Sequence, residues 1–212
     1  VVSVNTVTGG TIAGDQTLCG NNPAAFTETI AATAAGTISY QWQSNTTGCG
    51  GIWANISGAT AATYDAPAGV IVTTYYQRVT TSTLNSVVCT ASSNCITVTA
   101  NSITPGTISG NRTICSGGDP TAFSVTVAAT GTNLSYQWQI STTTSAGPWS
   151  DILGETNPTY DAPGPITQTT YFRRVATATV NSSNCSANSN FVTVFVNTIT
   201  ASVIDGDQSV CG

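Results

Sequence analysis

Cysteine is the residue type with the clearest capacity for chemistry in this sequence. Seven cysteines occur among 212 residues, whereas histidine is absent and all four cations are arginine. No CxxC pair is present, and the spacing without histidine argues against a zinc site. Seven cysteines in such a chain are typical of disulfides formed in an oxidising compartment. The sequence therefore predicts covalent cross-links, with no metal and no cofactor.

The cysteines follow an internal repeat of 96 residues. Cys19 recurs as Cys115 and Cys211, and Cys89 recurs as Cys185. Self-similarity at a fixed period indicates an array of similar modules. The two copies therefore serve as an internal comparison for every other residue.

Two cysteines occur in only one copy. Cys49 and Cys95 have Ser145 and Phe191 as their equivalents in the second copy. Residues that appear together and are absent together are most simply partners. We therefore expect a Cys49–Cys95 disulfide.

The remaining cysteines allow two pairings. One bonds residues within each module, as Cys19–Cys89 and Cys115–Cys185, and leaves Cys211 for a partner beyond this segment. The other bonds consecutive modules, as Cys89–Cys115 and Cys185–Cys211, and leaves Cys19 for a preceding module. We expect the pairing within modules, although spacing alone does not fix connectivity.

Two tryptophans at equivalent positions have two interpretations. Trp53 follows Gly51-Ile52, and Trp149 follows Gly147-Pro148. If they are exposed, they can stack on sugar rings and make each module a weak lectin. If they are buried, they cover the edge of the fold, which is the commoner use of aromatic side chains. Burial is favoured, and glycan stacking stays as the alternative.

Catalysis is not expected. Nucleophilic and general-base mechanisms usually use His or Lys beside the nucleophile, and this chain has neither. A pair of carboxylates could still hydrolyse a glycoside. However, Asp65 and Asp161 occupy the same position in successive copies, each followed by Ala-Pro, which favours a turn or cap.

Calcium is not expected either. It needs six or more oxygen ligands, generally from clustered carboxylates. Asp205 and Asp207 form the one close pair, and the equivalent segments read Ser109-Gly110-Asn111 and Ala13-Gly14-Asp15. Because the pair does not recur, surface acidity explains it better than a metal site.

The composition limits the partners. Charged residues make up 6% of the chain, and the net charge is -5. Nucleic acid is not an expected partner, because phosphate binding needs clustered Lys and Arg. No run of 18 apolar residues occurs, so this segment is not expected to span a membrane. Forty threonines supply surface polarity and favour β structure.

Short alternating runs separated by Gly, Asn, Ser and Pro predict an all-β sandwich. In the clearest run, Ile38, Tyr40 and Trp42 fall on one face, and the second copy repeats it around Trp138. Trp42 stands where an immunoglobulin fold has its core tryptophan. The predicted strands of the first copy are residues 24–32, 38–43, 62–64, 73–79 and 96–100.

The repeat also predicts domain boundaries. We expect residues 1–4 to end a preceding module, 5–100 and 101–196 to form two immunoglobulin-like modules, and 197–212 to begin another. The connection at residues 100–107 is short and contains Pro105. It predicts an extended, semi-rigid rod.

Several motifs occur in order in both copies. As they stand in the second copy, they are GTISGNRTICSGGDP, SYQWQ, TYDAP, TTYFRRV and Cys-x-Ala-x-Ser-Asn-x-x-Thr-Val at residues 185–194. Together they resemble the immunoglobulin-like repeats of very large secreted surface adhesins of Bacteroidetes-type bacteria. The resemblance implies an extracellular, cell-surface location, and it includes gliding-motility adhesins and filaments exported by type IX secretion.

We therefore expect a structural and adhesive segment of a long extracellular protein. Its expected partners are neighbouring copies of the repeat and surfaces or surface polysaccharides, and many weak contacts would add up. The alternatives are an array of carbohydrate-binding modules and the subunit of a polymerised filament.

Overall fold

The computed structural model describes residues 2–199 and residue 206, and this part of the chain is all-β without a helix. The first repeat contains β1 (Thr11–Ala13), β2 (Gln16–Leu18), β3 (Thr27–Ile30), β4 (Thr37–Asn45), β5 (Ala54–Asn55), β6 (Thr74–Leu84), β7 (Val87–Ser92) and β8 (Ile96–Ala100). The second contains β9 (Thr107–Ser109), β10 (Arg112–Cys115), β11 (Ser124–Val127), β12 (Ser135–Ser141), β13 (Ser150–Asp151), β14 (Thr170–Val180) and β15 (Ser183–Asn197). The all-β prediction is confirmed.

The chain divides into two compact units. The first comprises the residues up to Ile103 together with Gly131–Leu134 and Thr177–Cys185. The second comprises the rest of the described chain. The turn between β14 and β15 thus belongs to the first unit, although its sequence belongs to the second repeat.

The first repeat has a larger and a smaller sheet. The larger has the order β2-β8-β6-β4-β5, and β7 also pairs with β6. β2 runs parallel to β8, and the other described pairs of this sheet are antiparallel. The smaller sheet is the antiparallel pair β1-β3. β6 alternates buried and partly exposed residues along its length, as a strand with one face on a core must.

The second repeat has the same arrangement, with one strand fewer. Its larger sheet has the order β10-β15-β14-β12-β13, and its smaller sheet is β11-β9. β15 is a single 15-residue strand that corresponds to β7 and β8 together. In the first repeat the strand is interrupted at residues 93–95, where Cys95 stands.

Each repeat has its own aromatic core. Trp42 is completely buried, and its indole Nε1 donates a hydrogen bond to the carbonyl oxygen of Ala61 at 2.9 Å. Both sheets contribute to this core, because Ile12 lies on β1 and Tyr76 on β6. The whole first cluster is Ile12, Phe26, Trp42, Ala59, Ala66, Tyr76, Ile96 and Val98. Two β layers closed over one core are a sandwich.

The second core uses equivalent residues. Trp138 is completely buried, and its Nε1 donates to the carbonyl oxygen of Asn157 at 2.9 Å. Phe123 packs on Phe172 with ring centroids 5.0 Å apart. The cluster is Ile108, Phe123, Trp138, Tyr160, Ala162, Ile166, Phe172, Val192 and Val194.

Two strand predictions for the first repeat differ from the structure. The strand expected at residues 24–32 is limited to β3, and residues 62–64 form only an isolated bridge between Tyr64 and Phe26. The backbone N–H of Phe26 donates to the carbonyl of Tyr64 at 2.8 Å. Pro67 follows shortly afterwards and has no N–H to donate, which disfavours further pairing.

Candidate functional site

One disulfide lies wholly within the first repeat. Cys49 is bonded to Cys95, with a Cα–Cα distance of 5.7 Å. The Cys49–Cys95 bond that was predicted from the absence of both cysteines in the second copy is confirmed. The bond ties the loop after β4 to the interruption between β7 and β8.

A second disulfide differs from both expected pairings. Cys19 is bonded to Cys185, with a Cα–Cα distance of 5.4 Å, and Cys89 and Cys115 are free. The predicted Cys19–Cys89 and Cys115–Cys185 bonds are therefore wrong, and the alternative Cys89–Cys115 bond is wrong as well. Cys185 is also unavailable to Cys211, which lies outside the described residues. Cys19 and Cys185 both belong to the first compact unit.

Strand direction explains why Cys19 cannot reach Cys89. Cys19 directly follows β2, which pairs with β8 beside the start of β6 at Thr74. Cys89 lies opposite Ser82, eight residues further along β6. At about 3.3 Å per residue Thr74 and Ser82 are roughly 26 Å apart, and Cys19 lies beyond the level of Thr74, still further from Cys89. A disulfide needs Cα atoms within about 7 Å.

The second repeat repeats this separation. Cys115 lies opposite Asn197 at the end of β15, whereas Cys185 is near the start of the same strand. Twelve residues of strand span roughly 40 Å. The pairing within modules is excluded by the same geometry in both copies.

A polar groove lies beside the Cys19–Cys185 bond, within the first compact unit. Its volume is about 810 Å³. The Asn181 amide donates to Thr17 Oγ1 at 3.2 Å, and the backbone N–H of Thr97 donates to the Asp15 carboxylate at 2.6 Å. The lining residues are Asp15, Gln16, Thr17, Thr97, Thr99, Asn181, Ser182 and Ser183. The groove thus offers hydroxyls and amides and a single carboxylate.

The turn beside this groove is set by local sequence. β14 and β15 are joined by Asn181 and Ser182 alone, which have φ angles of 48° and 62°. A two-residue hairpin loop with positive φ at both positions matches the twist of the strands, and asparagine tolerates this region. Asn85 and Ser86 form the equivalent turn of the first repeat, with φ angles of 49° and 64°.

The two loop tryptophans are half-buried, unlike the core tryptophans. Trp53 and Trp149 both retain exposed surface. The guanidinium carbon of Arg173 lies 4.5 Å from the ring centroid of Trp149, so a cation covers one face of that indole. Gln77 occupies the position of Arg173 in the first repeat. Glycan stacking by Trp53 and Trp149 stays a prediction.

The carboxylates with a candidate catalytic role belong to different repeats. Asp65 and Asp161 are both exposed. Within the described residues, no three His, Cys, Asp or Glu side chains come together as a metal cluster. Asp205 and Asp207 lie outside the described part of the chain. No helix among the described residues is long and apolar enough to cross a bilayer.

A buried arginine at the centre of each repeat was missed by sequence reasoning. Arg78 is completely buried; it donates to the carbonyl oxygens of Ala62 at 2.6 Å and Gly9 at 3.2 Å. Its guanidinium carbon lies 4.4 Å from the ring centroid of Tyr40. It therefore ties three separate segments of the repeat together.

Arg174 makes the equivalent contacts in the second repeat. It donates to the carbonyl oxygens of Pro158 at 2.6 Å and Pro105 at 3.1 Å, and it lies 4.4 Å from the ring of Tyr136. Burial lowers the pKa of the Arg174 guanidinium from its ordinary value, and Tyr136 acts in the opposite direction. The signal that could have found both residues is one arginine in the same position of each copy.

The two arginines differ in their counter-ions. Arg78 Nη1 lies 2.6 Å from Glu28 Oε2, and the two side chains form an ion pair. Val125 takes the place of Glu28 in the second repeat, since Ile108 pairs with Val125 as Ile12 pairs with Glu28. Within the described chain, no carboxylate pairs with Arg174.

The Ser-Asn motif is explained by contacts between the sheets. Asn190 accepts a hydrogen bond from the backbone N–H of Ile108 and donates one to its carbonyl, both at 2.8 Å. Asn94 does the same with Ile12, at 2.8 and 2.9 Å. The hydroxyl of Ser189 accepts from the backbone N–H of Arg174. In each repeat an asparagine side chain thus pairs with backbone groups of the smaller sheet: Asn94 with β1 and Asn190 with β9.

Burial also affects the core tyrosines. Burial, with a smaller effect of the Asp65 carboxylate, raises the pKa of Tyr64. Burial raises the pKa of Tyr76 and of Tyr160, chiefly because an ionised phenol would lose its hydration there. These phenols are packing groups, because each contacts the core phenylalanine or tryptophan of its repeat.

With this geometry in hand, comparison with known proteins identifies the repeat. The family described as "Domain of unknown function (DUF8696)" matches residues 8–102 and again residues 104–198. The chain belongs to this family. The DUF8696 match thus occurs twice in tandem, in agreement with the repeat of the sequence. No curated protein is significantly similar to the chain.

Three solved structures are similar to the DUF8696 chain at low identity. Three N-terminal domains of the bacteriophage RB49 highly immunogenic outer capsid protein are 9% identical, with a TM-score of 0.48; 91% of this chain and 70% of that one are covered. Mouse cadherin-23 EC22-24 is 13% identical, with a TM-score of 0.36 and coverage of 92% and 67%. Drosophila N-cadherin EC1-4 is 10% identical, with a TM-score of 0.37 and coverage of 87% and 47%.

Proposed function

We propose that this chain is a structural and adhesive segment of a long extracellular, cell-surface protein built from disulfide-stabilised, immunoglobulin-like repeats. The observation that carries the proposal is the Cys19–Cys185 bond, which joins a residue of one repeat to a residue of the next. Such bonds persist outside the cell or in other oxidising compartments. A covalent bond from repeat to repeat suits a part that bears load, and the proposed role is non-enzymatic.

The two separate cores support the same proposal. Each repeat buries its own tryptophan and its own arginine, so each can act as a unit of an array. The resemblance to large bacterial surface adhesins agrees with this role. Gliding motility, export by type IX secretion and a rod-like arrangement of the modules stay parts of the proposal.

The proposal is tested on cells that carry the gene. Antibodies raised against this chain should label intact cells, and they should reduce the fraction of cells retained on glass or on polysaccharide-coated surfaces. A strain without the gene should lose both signals. Labelling that requires permeabilised cells would overturn the extracellular assignment. Unchanged retention in the deletion strain would overturn the adhesive one.

A carbohydrate-binding array is the second candidate, favoured by one observation. Trp53 and Trp149 stay half-exposed, although each repeat has a fully buried tryptophan of its own. Stacking on a sugar ring would change their fluorescence, whereas Trp42 and Trp138 are shielded. Titration with a glycan panel tests this reading, with a Trp53→Phe/Trp149→Phe variant as the control. Equal responses of the variant and the parent would reject it.

A further inference from the structure

Cys115 and Cys89 are free, and they are the repeat equivalents of Cys19 and Cys185, which are bonded to each other. We call Cys19, which directly follows β2, and Cys115, which ends β10, the strand cysteines, and we call Cys89 and Cys185 the hairpin cysteines. Cys19 of the first repeat is bonded to Cys185 of the second, a strand cysteine to a hairpin cysteine. Among the described cysteines, Cys115 is the strand cysteine that is free and Cys89 is the hairpin cysteine that is free.

Each free thiol has the backbone of its bonded equivalent. β10 runs parallel to β15 with Arg112 opposite Val194, as β2 runs parallel to β8 with Gln16 opposite Val98. Cys115 is exposed at the end of that strand. A bond there would therefore need no change in the strand.

The hairpin cysteine is equally well matched. Cys89 follows a two-residue turn with φ angles of 49° and 64°, and Cys185 follows one with 48° and 62°. Cys89 is partly exposed. Both hairpins thus present the third residue after the turn at the same position along the strand.

The neighbouring residues are matched as well. In the bonded pair Asn181 donates to Thr17 Oγ1. The equivalents beside the free thiols are Asn85 and Thr113, which are the same residue types. The hydrogen bond can therefore be repeated unchanged.

Two neighbours of the bonded cysteines are both polar, and both of their equivalents beside the free thiols are apolar. Thr99 and Ser183 line the polar groove beside the bonded pair. Their equivalents beside the free thiols are Phe195 and Val87, which are 49% and 56% exposed. A polar pair is thus replaced by an apolar pair, and a contact of the Cys19–Cys185 kind would bury both of these apolar side chains.

We propose that Cys115 forms a disulfide with the hairpin cysteine of a further DUF8696 repeat, supplied by a second copy of this chain as its Cys89. The bond reproduces Cys19–Cys185, with Phe195 against Val87 where the first bond has Thr99 near Ser183. Since the described part of each copy offers one free strand cysteine and one free hairpin cysteine, the contact between them is head-to-tail and does not close. The inference deepens the structural role proposed above and rests on it only for the oxidising environment.

The chemistry is thiol–disulfide exchange. A thiolate of Cys115 attacks an external disulfide such as oxidised glutathione, and one glutathione thiolate leaves. The Cys89 thiolate of the partner copy then attacks the mixed disulfide at the Cys115 sulfur and releases the second glutathione. Two protein thiols lose two protons and two electrons, and one external disulfide is reduced to two thiols.

The test uses complementary variants in a glutathione redox buffer. All proteins carry Cys211→Ser, so that Cys115 and Cys89 are the remaining free cysteines. The Cys89→Ser variant then has Cys115 as its one free thiol, and the Cys115→Ser variant has Cys89 as its one free thiol. Each variant alone should stay monomeric on non-reducing gels, and their mixture should give a dimer. The protein with both cysteines should give a ladder, and peptide mapping should find Cys89 bonded to Cys115.

Two controls separate a specific contact from random oxidation. Adding Cys89→Ser and Val87→Cys to the Cys115→Ser variant moves the thiol two residues along the same strand, about 7 Å, which should slow cross-linking about tenfold or more. Phe195→Thr in the Cys115 partner should slow it also, by removing the apolar contact. Equal dimer from one variant alone, or no slowing in the shifted control, would overturn the inference. Cell labelling and retention do not depend on this outcome, so the two failures are distinguishable.

Discussion

Removing Glu28 tests whether the buried arginine of the first repeat depends on its counter-ion. Glu28→Val gives Arg78 the surroundings that Arg174 has beside Val125. The hydrogen bonds of Arg78 to Ala62 and Gly9 and its contact with Tyr40 stay in place. The substitution therefore isolates the carboxylate from the rest of the arginine's contacts.

The expected loss of stability follows from how deeply the Arg78–Glu28 pair is buried. Breaking a fully buried ion pair costs about 3–5 kcal/mol, and an exposed pair contributes about 0–1 kcal/mol. The side chain of Arg78 is 0% exposed and that of Glu28 is 24% exposed, so this pair lies between these limits. We expect the free energy of unfolding of the first repeat to fall by about 2 kcal/mol. This corresponds to about 30-fold faster amide exchange through global opening.

Hydrogen exchange measured by mass spectrometry resolves the effect by strand. Amides of β6 should lose protection in Glu28→Val and in the isosteric control Glu28→Gln, and amides of β14 should not. The reciprocal Val125→Glu supplies the missing carboxylate and should raise the protection of β14. Exchange of β6 within about twofold of the parent would refute the reasoning. Loss of β14 protection in Val125→Glu would refute it as well.

Three further predictions follow from individual contacts. Asn190→Ala leaves the buried N–H of Ile108 unpaired and should lower the free energy of unfolding, measured in urea, by about 2–3 kcal/mol. The control Asn157→Ala removes an exposed side chain and should lower it by less than about 0.5 kcal/mol. Replacing Cys49 and Cys95 by serine removes a 46-residue cross-link and should lower the urea midpoint by the equivalent of about 2–4 kcal/mol. Burial raises the pKa of Tyr76 above its ordinary 10.0, so the unfolded chain ionises first. Its contribution to stability is complete below pH 10 and is lost as the pH rises through the folded-state pKa, which urea midpoints measured against pH will report.

The core was predictable because it depends on local pattern. Period-two alternation around Trp42 and Trp138 identified β4 and β12, and both indoles are completely buried. The strand expected at residues 62–64 was wrong, because an alternating run does not reveal whether a neighbouring strand offers more than one pairing position. Pairing of that kind depends on the partner strand and not on the run itself.

The central polar groups were not predictable from local pattern. An arginine in an alternating strand is normally assigned to the solvent face, yet Arg78 is buried by acceptors from distant segments. Asn94 likewise matters through Ile12, which is 82 residues away in the sequence. Their repetition in both copies marks them as constrained, but it does not say by what.

The cysteines show where comparison between copies gives information and where it does not. Cys49 and Cys95 occur in one copy only, so their presence singles out one pair. Strand and hairpin cysteines occur in every copy, and the sequence is then equally consistent with bonding in the same repeat, the preceding one or the following one. Strand direction removes this ambiguity, because the parallel pairing of β2 with β8 places Cys19 far from its own hairpin. Only a neighbouring repeat can then supply the partner, and the bond from Cys19 goes to the hairpin of the following repeat. Since the same strand direction holds in the second repeat, Cys115 cannot reach the hairpin of its own repeat, and any partner of Cys115 must lie outside that repeat.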